Sequence, residues 1–304
     1  MKADKRSMTS ITGRIFLATI LLGATFIPGS ASAEPGDTPM QSTPVGIDGS
    51  GHPLEAPAIP TEAEVDETSN HVPANPQEMT PEGIIGDDNR ERIEDTTTFP
   101  NSAVVYIQFN GRRHCSGWLI SRDTVVTAGH CVYNPSTQKW FHGLQISPGA
   151  NGQERPFGTA QATQLWTDAQ WIAKSDPRQD WGILKLDTPI GDQTGWFGMM
   201  WRDWSYDGET TNLRGYPADK PEAELWGMEG RVEESHPNQL CYYTDTYRSQ
   251  SGSPVYSADE SLVLAIHTYS NNKNRKSTPS LCPGEYNAGT RITKSLFNVI
   301  LQLR

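Results

Sequence analysis

Thr127-Ala128-Gly129-His130-Cys131 is the stretch whose reading decides the fold, because two segments downstream complete it: Asp180-Trp181-Gly182-Ile183-Leu184 and Ser249-Gln250-Ser251-Gly252-Ser253-Pro254. A serine hydroxyl is a weak nucleophile near neutral pH. It attacks an acyl carbon when a base takes its proton and a third group fixes the tautomer of that base. An imidazole, a carboxylate and an alcohol supply those three parts. Singly, each has a plainer reading: His130 as an ordinary core or surface histidine, Asp180 as a turn residue, Ser251 as one serine of three. The glycine after Ser251 permits the tight turn that exposes a nucleophile, which favours Ser251 over Ser249 and Ser253. The apolar strand after Asp180 suits a buried orienting carboxylate.

The surroundings read as short strands separated by turns. Val104-Val105-Tyr106-Ile107-Gln108-Phe109 is rich in β-formers and ends at Asn110-Gly111, a strong hairpin signal. Gly117–Ile120 and Thr124–Thr127 flank the polar turn Ser121-Arg122-Asp123. Ile183–Leu186 alternates weakly, and Leu262–Ile266 is a buried type of run. Only Thr293 to Leu303 reads as helical, with apolar residues at 296, 297, 300 and 303. An all-β domain with a C-terminal helix follows, and residues 83–304 are enough for one compact unit of two sub-domains.

The residues before this domain differ in kind. Lys2, Lys5, Arg6 and Arg14 form a basic start, an apolar run covers Ile15 to Ile27, and Ala31-Ser32-Ala33 supplies a small-x-small cleavage site. Residues 1–33 read as an export signal, since the run is short of the roughly 20 residues a membrane span needs. No later stretch is apolar enough to span a bilayer. Residues 34–82 hold ten acidic residues, nine prolines and no Lys or Arg. Such a composition predicts an acidic, largely disordered pro-segment, because it buries too little apolar surface to offset its ordering entropy. Residues 1–33 carry +3 and 34–82 carry −10, so of the formal net charge of −11 only −4 belongs to residues 83–304. That mild acidity gives no support for a nucleic-acid partner.

All four cysteines, Cys115, Cys131, Cys241 and Cys282, lie in the domain. An even count behind an export signal points to two disulfides and an extracellular location. Of the three possible pairings, Cys115–Cys131 with Cys241–Cys282 is favoured because each link stays within one half of the domain. CxxC spacing is absent, so no zinc site is expected, and no cofactor motif is present.

Taken together, the motifs resemble the chymotrypsin-like (trypsin superfamily) serine proteases, and more narrowly their glutamyl endopeptidase branch. Cys115-Ser116-Gly117-Trp118-Leu119-Ile120 followed by Thr127–Cys131 is similar to the strand pair and disulfide around the family's catalytic histidine. Gln179–Lys185 is similar to its aspartate segment, Ser251-Gly252-Ser253-Pro254 to its nucleophile, and Gly289-Thr290-Arg291-Ile292 to the strand before its terminal helix. Ile84-Ile85-Gly86-Asp87-Asp88-Asn89-Arg90 resembles a mature N-terminus of that branch. The resemblance covers essentially all of 83–304. It implies two six-stranded antiparallel Greek-key β-barrels, a monomer acting on protein or peptide substrates, and a secreted zymogen. It also implies catalytic His130, Asp180 and Ser251, with an oxyanion hole from the backbone N–H groups of Ser249 and Ser251. One departure stands out: the family usually has glycine where this chain has Ser249, so the hole is expected to be strained or reshaped.

Specificity has two readings in the sequence. Asp245 lies six residues before Ser251, where trypsin-like enzymes place the carboxylate that binds Lys or Arg. Thr246 and His267 match the positions that glutamyl endopeptidases use for a glutamate side chain, through a hydroxyl and a protonatable imidazole. His267 as a satisfied core histidine is the plain alternative. The pro-segment contains no Lys or Arg, whereas Glu82 directly precedes Gly83. Cleavage there would free a Gly83 α-ammonium, which the resemblance assigns to the substrate carboxylate. Gln250 carries no charge and cannot pair with that ammonium. A catalytically inactive secreted homologue acting as a binding module is the non-enzymatic alternative, supported by Ser249 alone.

Overall fold

The computed structural model describes residues 38–59, 84–259, 261–271, 282–283 and 285–304. Residues 1–37, which include the expected export signal, and residues 60–83, including Glu82 and Gly83, lie outside the described residues. Strand β1 is Pro44–Asp48, and the first barrel is built from β2 (Val104–Phe109), β3 (Arg112–Leu119), β4 (Thr124–Thr127), β5 (Gln145–Pro148), β6 (Ala160–Asp168) and β7 (Gly182–Leu186). Neighbours run β7-β4-β3-β2-β5-β6, and β6 pairs back onto β7, which closes six antiparallel strands with no edge between them. The β2–β3 connection is the expected hairpin. Asn110 and Gly111 take φ of 52° and 69°, the left-handed pair that a two-residue turn matched to strand twist requires.

The second barrel repeats the plan with β8 (Thr210–Gly215), β9 (Trp226–Ser235), β10 (Gln239–Tyr242), β11 (Pro254–Ser257), β12 (Leu262–Tyr269) and β13 (Asn287–Arg291). Their order is β12-β11-β8-β9-β10-β13, closed by β12 on β13. Within the first barrel's sequence a short helix α1 (Ala169–Lys174) follows β6 and precedes β7, and α2 (Lys294–Leu303) follows the second barrel. Helix α2 buries Leu296, Phe297, Val299, Ile300 and Leu303, and Thr293 caps it by accepting from the Leu296 N–H. Helix α1 has no apolar repeat to announce it. It is fixed instead by Asp168, whose buried carboxylate accepts from the Gln170 N–H at its start.

The disulfides are Cys115–Cys131, which ties β3 to the segment after β4, and Cys241–Cys282. Among the described residues no helix is long and apolar enough to cross a membrane.

The expectation of disorder across residues 34–82 is corrected for residues 38–59. Strand β1 pairs antiparallel with β6, from Pro44 opposite Asp168 to Asp48 opposite Gln164. The physical reason is a vacancy in the barrel: β5 covers only Ala160 and Gln161 of that edge of β6, leaving the rest unpaired. Backbone pairing then orders a segment whose composition is too polar to order itself. Ile47 is buried there, and Leu54 and Ile59 pack against the same core. Side chains add to the docking. The Thr43 N–H donates to Asp168 Oδ2 (2.7 Å), the Ser42 hydroxyl to Gln179 Oε1 (3.2 Å), and Gln179 Nε2 to the Gln41 carbonyl (3.2 Å).

Gly46 sits where β1 crosses the indole of Trp166, and a Cβ there would lie 2.4 Å from the ring. Gly46→Val is therefore expected to lift β1 off β6 while leaving the closed barrels folded. Hydrogen exchange followed by mass spectrometry checks this: amides of 45–48 should lose protection, and those of β2 and β3 should keep it.

Candidate active site

Antiparallel pairing of β4 with β7 sets Thr127 opposite Gly182. The residue three places beyond the end of β4 and the residue two places before the start of β7 therefore meet at one end of the first barrel. They are His130 and Asp180. The His130 N–H donates to Asp180 Oδ1 (2.8 Å), and His130 Nδ1 lies 2.8 Å from Asp180 Oδ2. Asp180 is fully buried, while the His130 side chain keeps about a third of its surface exposed. Burial works against a charged His130, but the Asp180 charge and hydrogen bond outweigh it and hold the imidazole above its ordinary pKa. There is no room for a side chain at Gly129, where a Cβ would lie 2.9 Å from Asp180 Oδ1 and Thr167 Oγ1.

Ser251 reaches the same place from the second barrel. Its carbonyl accepts from the Ser116 N–H (2.9 Å) and lies 3.7 Å from the sulfur of Cys131, the residue after His130. Its hydroxyl makes no hydrogen bond to His130 in this structure, as is common before substrate tightens such a site. Gly252 takes φ of 91°, and a Cβ there would lie 2.1 Å from Thr127 Oγ1 and 2.2 Å from the Ser116 carbonyl, so only glycine fits behind Ser251. Ser249 takes φ of 72° despite its side chain. The amides of Ser249 and Ser251 donate to no partner among the described residues, whereas the Gly252 and Ser253 amides between Ser251 and β11 are both bonded. Two unspent N–H groups one residue apart in the serine turn can receive a developing oxyanion.

The residues read as specificity candidates occupy two distinct environments. Asp245 is buried and does not stand free: its Oδ1 accepts from the Ile85 N–H (2.7 Å). Burial raises its pKa to about 6, against the opposing pull of that hydrogen bond and of Arg90. Arg90 in turn is bound by Asp88 and Asp219, so residues 85–90 are anchored beside Asp245. Thr246, the next residue, and His267 have other partners. The Thr246 hydroxyl pairs with Ser270 Oγ (2.9 Å), and the backbone of His267 brackets the serine turn, taking the Gly252 N–H on its carbonyl (2.7 Å) and donating to Ser253 (2.9 Å).

His267 is not the protonatable group the sequence suggested. Burial pushes its pKa down to about 3, with a smaller push from His130, so it is neutral throughout the working range. Its Nδ1 lies 2.8 Å from the Tyr242 hydroxyl, whose own pKa burial drives well above the ordinary phenol value. Tyr242, Ser270, Tyr269 and Trp171 escape sequence reasoning. The rings of Trp171 and Tyr269 flank His130 at 6.2 and 6.3 Å, but neither belongs to a motif. Gly83 lies outside the described residues.

Two groups of metal-ligating side chains come together among the described residues, Cys115-His130-Cys131 and Glu234-His236-Cys241. Every cysteine in them is spent on a disulfide and offers no thiolate, so neither set fits a metal.

Comparison with known proteins agrees with this geometry. Residues 92–287 match the family model described as Trypsin. A glutamyl endopeptidase of Bacillus licheniformis is 32% identical over 98% of this chain and 96% of its own. A Bacillus subtilis protein named extracellular metalloprotease is 35% identical over 74% of this chain and 71% of its own. Among solved structures, one described as a Glu endopeptidase in complex with MPD superposes with a TM-score of 0.64 at 27% identity, covering 71% of this chain and 96% of that one. With the two closed barrels and the seam between His130, Asp180 and Ser251, these findings place the chain in the trypsin family of serine endopeptidases.

Proposed function

We propose that this protein is a secreted endopeptidase that hydrolyses peptide bonds after glutamate or aspartate through an acyl-enzyme on Ser251. His130 takes the Ser251 proton and returns it to the leaving amine. Asp180 keeps the proton of His130 on Nδ1 and stabilises the imidazolium without becoming protonated. The amides of Ser249 and Ser251 bind the oxyanion.

The observation that carries the acidic specificity is the environment of Asp245. The group is buried, its Oδ1 is taken up by the Ile85 amide and Arg90 lies nearby, which speaks against an exposed anion for substrate Lys or Arg even though the buried Oδ2 has no partner among the described residues. What remains beside the serine turn is a set of neutral donors, His267, Thr246 and Ser270. With the Tyr242 hydroxyl donating to Nδ1, His267 holds its proton on Nε2 and can give it to a carboxylate. Neutral donors orient a carboxylate but do not balance its charge. The α-ammonium freed by cleavage between Glu82 and Gly83 would supply that charge. Residues 34–82 then form the pro-segment, with the mature enzyme starting at Gly83 and acting as a monomer.

A panel of peptides differing only before the scissile bond tests the specificity: Glu and Asp should be cut and Lys and Phe spared, and rapid cleavage after Lys alone would refute it. His267→Ala should lower kcat/KM on the glutamyl peptide roughly 10- to 100-fold, the worth of one charge-assisted hydrogen bond. N-terminal sequencing of secreted protein should begin at Gly83.

The pH profile tests the base. Only neutral His130 accepts a proton, so kcat/KM should rise with pH and level off above the His130 pKa. Because Asp180 raises that pKa, the acid limb should fall above the ordinary imidazole value of about 6.5. Asp180→Asn should shift the limb down and cut kcat by on the order of 10⁴-fold.

A further inference from the structure

We propose that Ser116 is a positioning residue for the oxyanion hole, acting through its hydroxyl on the backbone of Ser249. This deepens the hydrolytic reading above and rests on it. Ser249 holds a left-handed backbone, φ 72°, that glycine adopts freely and a residue with a Cβ does not. Left to itself, the loop would relax by rotating the Arg248–Ser249 peptide, which would carry the Ser249 N–H out of the site. Three clamps on carbonyls of this loop oppose this. The Ala218 N–H holds the Arg248 carbonyl (2.8 Å), the Ser116 hydroxyl holds the Ser249 carbonyl (2.8 Å), and the Ser116 N–H holds the Ser251 carbonyl (2.9 Å).

Of these three donors, the Ser116 hydroxyl is the one side chain. It is fully buried on β3 of the first barrel, whereas the loop it holds belongs to the second. Its rotor is committed, too. The Tyr216 N–H donates to the same oxygen (2.8 Å), which leaves the single hydroxyl proton for Ser249. The substitution Ser116→Ala therefore removes one clamp without adding bulk, and the backbone clamp from Ser116 to Ser251 survives it. The strain at Ser249 and the clamp at Ser116 form a pair. A glycine at 249 has no cause to leave the left-handed region, and so has less need of the clamp.

The test is a double-mutant cycle in the full, naturally processed protein: wild type, Ser116→Ala, Ser249→Gly and the double variant. Rates are expressed per Ser251 labelled by a phosphonylating reagent, so that misfolded material does not count. Binding of a peptide aldehyde, whose hemiacetal oxygen occupies the oxyanion position, is measured beside binding of the cleaved product peptide. In the wild-type background Ser116→Ala should lower kcat about fivefold to tenfold, the worth of one hydrogen bond, and weaken the aldehyde by the same factor. KM and product binding should stay within about twofold, because ground-state contacts are unchanged. In the Ser249→Gly background the same change should cost less than about twofold. Equal losses in both backgrounds, a loss confined to KM, or no loss at all would overturn the inference while leaving a labelled, active enzyme. Failure of wild type to label at Ser251 would instead overturn the hydrolytic reading and take the inference with it.

Discussion

A fully buried carboxylate is the constraint on which the seam of this molecule depends. An ionised Asp in a dry environment is costly unless its oxygens are met by hydrogen-bond donors. Asp180 meets that demand with two donors from one residue, the amide and the ring of His130. That solution dictates much of what surrounds it. The backbone at 129 must come so close that no Cβ fits, and β4 must pair with β7 in the register that brings Thr127 to Gly182. The strand pairing that closes the first barrel is thus the same pairing that places His130 beside the buried Asp180. Fold and chemistry are two consequences of one register.

The N-terminal segment illustrates how context overrides composition. Residues 34–82 lack the apolar surface to fold alone, and the sequence argument on that point is sound as far as it goes. It leaves out the edge of β6, a row of backbone groups that β5 covers only in part. Backbone hydrogen bonding is indifferent to side-chain polarity, so Pro44–Asp48 can be ordered by a template although it has little core of its own. The docking also reaches toward the site. Gln41 and Ser42 grip the side chain of Gln179, which in turn accepts from the Trp181 indole across the peptide of Asp180. In the uncleaved chain, the segment proposed as pro-segment thus braces the residues on either side of the buried acid.

Much of the remainder was legible because it is periodic or punctuated. Asn110-Gly111 announces its turn, Leu262–Ile266 its burial, and α2 its apolar stripe. The proposed site triplet could be read because three short motifs each carry a chemically demanding residue with its structural partner, such as Ser251 with Gly252. What escaped has no local signature. Helix α1 is short and capped by a buried Asp rather than driven by amphipathicity. Ser270 was hidden by a register shift between His267 and Tyr269 in the β12–β13 pairing, which breaks the alternation that assigns faces to a strand. The charge state of His267 was invisible for another reason. Residue type gives the ordinary pKa, but only burial and the Tyr242 contact decide where it moves.

Ser249 and His267 together show how such a site handles groups that seem wrong for it. A side chain at a left-handed position and an imidazole that cannot carry charge would each weaken an acyl-transfer site that depended on them directly. Here the loop's conformation is held by carbonyl clamps from outside it, so the identity of residue 249 matters less than the donors that surround it. A neutral His267 likewise avoids placing a second positive charge near His130 when the proposed base is protonated; the His130 charge already helps hold the His267 pKa down. Were His267 charged, it would oppose the imidazolium that Asp180 is buried to stabilise. On the proposed reading, neutral donors beside Ser251 therefore suit His130 as base as much as they suit an acidic substrate, and the burial that holds His267 neutral serves both.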